Sequence, residues 1–191
     1  VKVVNAPGRL AVPVAEYTVG LMISEMKNIA RSYHLMKKGE FKTSGYANSD
    51  YSVNLKGKTV GIIGCGAVGK RVANVMKAFE ANVIAYDPYA DADQLAVEGI
   101  EAVELNELCK RSDVISVHFR LTEETEKMIG KEQIALMKPT CFFINTARAG
   151  LVDEEALIQA LKERKIGGAG IDVYMQEPLP LVHPFYRMDN V

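Results

Sequence analysis

Between Ile63 and Asp87 the chain carries three glycines, Gly64, Gly66 and Gly69, in the spacing G-x-G-x-x-G, with Cys65, Ala67 and Val68 between them. Small uncharged residues at this spacing suit the cradling of an anion by backbone N–H groups. Gly64 permits a tight turn off a strand, Gly66 lets the backbone approach a pyrophosphate with no Cβ in the way, and Gly69 lets the next helix pack close to the strand. The first N–H groups of that helix and its positive dipole end then face the phosphates. Asp87 follows at about the twenty-residue distance at which such a unit places an acid. Its carboxylate would accept from the adenosine ribose hydroxyls and repel a 2′-phosphate, and Pro88-Tyr89 offers no arginine instead, so NAD is expected over NADP.

A second set of chemically able residues lies further along: His118, Asn145-Thr146-Ala147-Arg148, Asp172 and Glu177. An arginine stays charged at any working pH and presents a planar fork, which suits a carboxylate and a developing alkoxide but not proton transfer. Proton transfer needs another group, such as a histidine held by a carboxylate. Taken singly, each residue has a plainer reading: Arg148 as a surface ion pair, Glu177 as a solvated loop charge, Asp172 as a cap or turn residue, His118 as a structural or cofactor-shell residue. Together they recur after successive predicted strands, and that regularity favours a site.

The elements that must position them alternate. Strands are predicted at Thr59–Ile63, Asn82–Tyr86, Val114–Val117, Cys141–Asn145 and Ala169–Val173, with a weak one at Glu101–Val103. Helices are predicted at Ala67–Ala81, Asp91–Glu98, Leu105–Arg111, Lys131–Met137 and Glu154–Arg164. In the last of these Asp153 suits the N-cap, Glu154 and Glu155 suit the positive end, and Gly167 or Gly168 suits the exit. Near-continuous apolar strands alternating with helices imply an α/β fold, a doubly wound and mostly parallel sheet covered on both faces. Ligands then sit at the carboxyl ends of the strands, where the residues above fall. Ahead of this core come a short strand at Val1–Val4, one long helix over Val14–Lys38 and a loop over Lys42–Ser52. In the long helix Met22, Met26, Ile29, Tyr33 and Met36 form a single stripe, either core packing or a face that also meets a second subunit.

The run Asn145-Thr146-Ala147-Arg148-Ala149-Gly150-Leu151-Val152-Asp153, then Gly170-Ile171-Asp172-Val173 and Glu177-Pro178, closely resembles the NAD-dependent D-2-hydroxyacid dehydrogenases. That family includes phosphoglycerate, glycerate, formate and D-lactate dehydrogenases. Asn5-Ala6-Pro7 and Val14-Ala15-Glu16 match the start of its cofactor domain, so the resemblance spans the chain. It implies a Rossmann NAD-binding domain over residues 1–191, with 1–50 an N-terminal strand, helix and loop and 51–191 the nucleotide-binding core. By the same resemblance Arg148 grips the substrate carboxylate and polarises its carbonyl, and Glu177 partners a catalytic histidine. Asp172 and the backbone at Thr146 and Ala147 face the nicotinamide end, and Ala67 and Val68 face the pyrophosphate. The family's histidine lies in a Thr-Pro-His segment just after an Asn-Val like Asn190-Val191, where this chain stops. None of His34, His118 and His183 replaces it. The chain, which opens on Val1 rather than Met, is therefore expected to be an inactive fragment with the substrate domain largely absent. Arg120 is a further departure, standing where many members have proline.

Net charge is -1 and 25% of residues are charged, which leaves no electrostatic footprint for nucleic acid or an anionic membrane. No apolar run approaches the ~20 residues of a membrane helix and no signal peptide opens the chain. Cys65, Cys109 and Cys141 show no metal-type pairing, so reduced thiols, a cytoplasmic location and no metal are expected. The parent would be a homodimeric oxidoreductase taking a small 2-hydroxy or 2-oxo acid. A non-enzymatic NAD-sensing corepressor-like module is the alternative. A second rival, a methyltransferase using S-adenosylmethionine, is argued against by the spacing of all three glycines and by the Arg148 and Glu177 pair.

Overall fold

The computed structural model describes residues 8–40 and 52–191. The strand expected at Val1–Val4, the Asn5-Ala6-Pro7 match and nearly all of the loop expected at Lys42–Ser52 lie outside those residues.

Among the described residues six strands form one sheet: β1 Thr59–Ile63, β2 Asn82–Tyr86, β3 Glu101–Ala102, β4 Val114–Val117, β5 Phe142–Asn145 and β6 Gly168–Ile171. Their spatial order is β3-β2-β1-β4-β5-β6 and every pair is parallel. The chain therefore winds outward from β1 in one direction, returns, and winds outward from β4 in the other. The reversal falls between β1 and β4, and there the carboxyl ends of the strands open a crevice.

Among the described residues seven α-helices join or cover these strands: α1 Ala11–Met26, α2 Ile29–Lys37, α3 Ala67–Ala78, α4 Ala92–Val97, α5 Leu105–Arg111, α6 Lys131–Leu136 and α7 Glu154–Lys162. Side chains alternate across the sheet, as the two-residue period of a strand dictates. Val60, Ile62, Val83, Ala85, Val114, Phe142 and Ile144 pack with Ala15, Met22 and Met26 of α1, Val72, Ala73 and Met76 of α3, and Leu95 of α4. Ile63, Ile84, Ile115, Val117 and Phe143 pack on the other face with Leu108 and Cys109 of α5, Ile134 of α6, and Leu157, Ala160 and Leu161 of α7. Both faces are covered, so the strands read as unbroken apolar runs.

Two expectations are corrected. The long helix over Val14–Lys38 is two helices, α1 and α2, broken at Asn28, whose backbone is left-handed at φ 54°. Asparagine tolerates this conformation better than most side chains, and the Asn28 Oδ1 accepts a hydrogen bond from Arg31 at 3.2 Å. The bend splits the predicted stripe: Met22 and Met26 are buried, whereas Ile29, Tyr33 and Met36 are exposed. At the exit of α7 the left-handed residue is Arg164, at φ 53°, not Gly167 or Gly168. Gly168 opens β6 instead, where a Cβ would come within 2.9 Å of the Asn190 carbonyl oxygen.

Candidate functional site

The glycine turn follows β1 directly. Gly64 takes φ +93°, a conformation that only glycine adopts cheaply, and a Cβ there would lie 2.9 Å from the His118 carbonyl carbon and the Phe119 nitrogen. At Gly69 a Cβ would overlap the Gly64 carbonyl oxygen, so the first turn of α3 presses against the turn it leaves. Gly66 differs: a Cβ there meets nothing within 4 Å. Its missing side chain leaves open space rather than relieving a contact. Gly66 is also the N-cap of α3, with no side-chain cap and no acidic residue in the first turn. The leading N–H groups of α3, including those of exposed Ala67 and half-buried Val68, have no side chain to accept them. That open cradle in front of an uncapped helix fits the diphosphate of a dinucleotide.

Asp87 stands at the end of β2 and reaches back to the turn. Its Oδ2 accepts from the Cys65 N–H at 2.8 Å and its Oδ1 from the Tyr89 N–H at 3.0 Å. The acid thus clamps the glycine turn to the neighbouring strand end, a role its sequence position does not reveal. Beyond β4, the His118 N–H donates to the Ile63 carbonyl at 2.7 Å, and the His118 Nε2 lies 2.9 Å from the Ser116 hydroxyl. Burial holds the imidazole well below its ordinary range, at about 4. His118 is therefore neutral at neutral pH.

The segment after β5 is organised by Asn145, which is buried. Its amide donates to the Arg148 carbonyl and its Oδ1 accepts from the Ala147 N–H, both at 3.0 Å. These two bonds close the turn that carries Thr146, Ala147 and Arg148. Arg148 projects to solvent, its Nη1 donating to the Ala147 carbonyl at 2.6 Å. Thr146 is buried, and its hydroxyl lies 2.7 Å from that of Thr18, which in turn donates to Val14 within α1. The Thr146 hydroxyl is thus committed to α1. The turn is braced from a second side, because Leu121 covers Gly150 and the Lys127 N–H donates to the Gly150 carbonyl at 2.8 Å.

Asp172 lies one residue past β6, its N–H bonded to the Asn145 carbonyl at 3.0 Å. Tyr17 of α1 stands near it: burial, then the Asp172 charge, raises the Tyr17 phenol above its ordinary range. Glu177 is exposed and accepts from the Tyr174 N–H at 3.2 Å. No histidine pairs with Glu177 among the described residues. His183 instead lies 3.4 Å from Glu154 and edge-on to Phe185, and His34 is exposed on α2.

The strand ends thus gather Gly64, Gly66, Asp87, His118, Arg148 and Asp172 along one rim. Asn145, expected at this rim from its place at a strand end ahead of small residues, organises the turn, whereas Thr18 and Tyr17 complete the rim and were missed from sequence. The two α1 residues lie more than 120 positions from their partners and carry no such signal.

The family described as "D-isomer specific 2-hydroxyacid dehydrogenase, NAD binding domain" has a sequence model that matches residues 19–191. The D-3-phosphoglycerate dehydrogenase of Methanocaldococcus jannaschii is 45% identical over 99% of this chain and 35% of its own length. The glyoxylate reductase of Thermofilum pendens is 38% identical over 99% of this chain and 56% of its own. Among solved structures, the D-lactate dehydrogenase of Aquifex aeolicus, complexed with NAD and lactic acid, superposes with a TM-score of 0.79 at 38% identity. That match covers 86% of this chain and 48% of that one. The chain spans between about a third and just over half the length of these relatives.

Proposed function

The chain belongs to the D-isomer-specific 2-hydroxyacid dehydrogenases through their NAD-binding domain, and on that premise we propose that its rim holds NAD for the interconversion of a D-2-hydroxy acid and a 2-oxo acid. The observation that carries this reading is the open cradle at Gly66 before the uncapped α3, set on the same rim as the exposed Arg148, which has no carboxylate partner among the described residues. When bound, the nicotinamide ring supplies the hydride. The chain's own residues orient and hold charge. Arg148 binds the substrate carboxylate and draws electron density from the carbonyl. Asp172 and the backbone at Thr146 and Ala147 steady the nicotinamide end, Asp87 the adenosine ribose, and Ala67 and Val68 the pyrophosphate.

Glu177 is placed in this reading as the orienting carboxylate of a general acid, a role that needs a histidine. The proton donor is not among the chain's own three. His118 is neutral and turned to Ser116, His183 is engaged with Glu154, and His34 lies on the exposed side of α2. The 191 residues alone accordingly bind NADH without turning over 2-oxo acids, since losing a general acid typically costs ~10²- to 10⁴-fold. The same reading makes the enzyme a cytoplasmic homodimer. Its three cysteines are free and buried, and Ile29, Tyr33 and Met36 leave an apolar strip exposed on α2. No helix among the described residues is long and apolar enough to cross a membrane.

Titrating NADH by calorimetry and following its oxidation with glyoxylate, hydroxypyruvate and pyruvate tests both halves. Saturable binding with negligible oxidation is expected. An absence of binding removes the cofactor reading, and brisk oxidation removes the claim about the proton donor.

A further inference from the structure

The glycine turn brings no positive side chain of its own to the two charges of a diphosphate. Cys65, Ala67 and Val68 are uncharged, and the Cys65 N–H is already given to Asp87. Lys70, in the first turns of α3, is held by Glu98 at 2.8 Å. Besides the end of β2, the loop after β4 packs against this turn: the space a Gly64 Cβ would fill is bounded at 2.9 Å by His118 and Phe119. The next residue is Arg120.

Its position is fixed while its guanidinium is not. The Arg120 carbonyl accepts from the Thr125 hydroxyl at 2.7 Å, and Thr125 also receives the Thr122 N–H at 2.8 Å. Leu121 is pinned over Gly150 on the other side. Of the acids that follow, Glu124 is turned to the Thr122 hydroxyl. The Arg120 side chain is exposed, and no carboxylate among the described residues pairs with it.

We propose that Arg120 is a cofactor-binding residue whose guanidinium pairs with the diphosphate of the bound dinucleotide, across the crevice from Asp87. The inference rests on the cofactor reading above. A planar fork binds phosphate oxygens in pairs, and beside an uncapped helix start it adds a full charge to a site otherwise built of partial ones.

The test measures the affinity of the 191-residue chain for NADH, ADP and adenosine at several salt concentrations, in wild type, Arg120→Gln and Arg120→Lys. Arg120→Gln should weaken NADH and ADP about five- to thirtyfold, the range expected of one partly exposed charge-assisted pair. It should leave adenosine unchanged and flatten the salt dependence of NADH binding. Arg120→Lys should recover part of the loss. The melting temperature should not move, because the side chain touches no partner. Equal weakening of adenosine would put the guanidinium on the base and overturn the proposal, as would unchanged NADH affinity in Arg120→Gln or no recovery in Arg120→Lys. If wild type binds none of the three ligands, the cofactor reading itself falls; if wild type binds and Arg120→Gln matches it, only the role of Arg120 falls.

Discussion

Gly66 and Gly69 stand three residues apart in one motif, yet the structure assigns them opposite reasons for lacking a side chain. At Gly66 an added methyl meets no atom within 4 Å, and the backbone sits at φ -78°. Alanine there should change stability by no more than about 1 kcal/mol, since the gain from a less flexible unfolded chain offsets small local strain. For a chain of this length that is a shift of about 2–4 °C. The same methyl stands in the open cradle, so a diphosphate must back away or lose N–H contacts. Overpacking of about 1–3 kcal/mol corresponds to roughly 5- to 150-fold weaker NADH binding. At Gly69 the methyl overlaps the Gly64 carbonyl oxygen and comes within 3.0 Å of Ile62. Backbone cannot swing aside, so α3 must lift from β1 at about 1–3 kcal/mol, a loss of about 2–12 °C. Differential scanning fluorimetry and calorimetric NADH titration of Gly66→Ala and Gly69→Ala separate the two effects. Wild-type affinity in Gly66→Ala, or a destabilisation matching that of Gly69→Ala, would refute the geometric argument.

Two further outcomes follow from the rim. Because the His118 imidazole titrates near 4 in the fold and near 6.5 when unfolded, protons bind the unfolded chain first; stability is complete above about pH 6.5 and declines as pH falls towards 4. The expected loss by pH 4 is on the order of 3 kcal/mol, and urea unfolding of His118→Asn between pH 7 and 4 should show a shallower decline than wild type; parallel curves would show that the ring is not held neutral. Thr18→Val leaves the buried Thr146 hydroxyl without its partner and should cost about 1–3 kcal/mol, whereas Thr18→Val with Thr146→Val should cost clearly less than the two single losses added together. Strict additivity in that cycle would mean the hydroxyls do not meet.

What was legible from sequence is what short-range physics controls. The strand and helix periods located all six strands of the described residues to within two residues; five are largely buried and read as apolar runs, whereas the short edge strand β3 is exposed and gave only a weak signal. Asp153 was recognised as a cap because its side chain acts three residues away, on Ala156. The break at Asn28 was not legible. Helical spacing of apolar residues continues straight through it, and the left-handed turn is paid for by contacts of Asn28 with Arg31 and of Arg31 with Glu25 that periodicity does not encode. In the site, the glycine spacing and Asp87 were visible as a pattern. The clamp that Asp87 places on Cys65, and the commitment of the Thr146 hydroxyl to α1, needed the two chain segments brought together.

The rim so assembled divides its labour by residue type. Groups that must not move are tied by the backbone: Asn145 closes the Arg148 turn, Asp87 clamps the glycine turn, and the His118 N–H fixes the β4 exit to β1. Groups that must meet a ligand's charge are left loose, since Arg120 and Arg148 face solvent without a carboxylate partner among the described residues. A bound dinucleotide and a carboxylate substrate would each neutralise one arginine. On the function proposed above, these two exposed cations would serve two anionic clients, and the neutral, half-buried imidazole of His118 adds no third charge. This arrangement makes anion affinity the property most sensitive to salt.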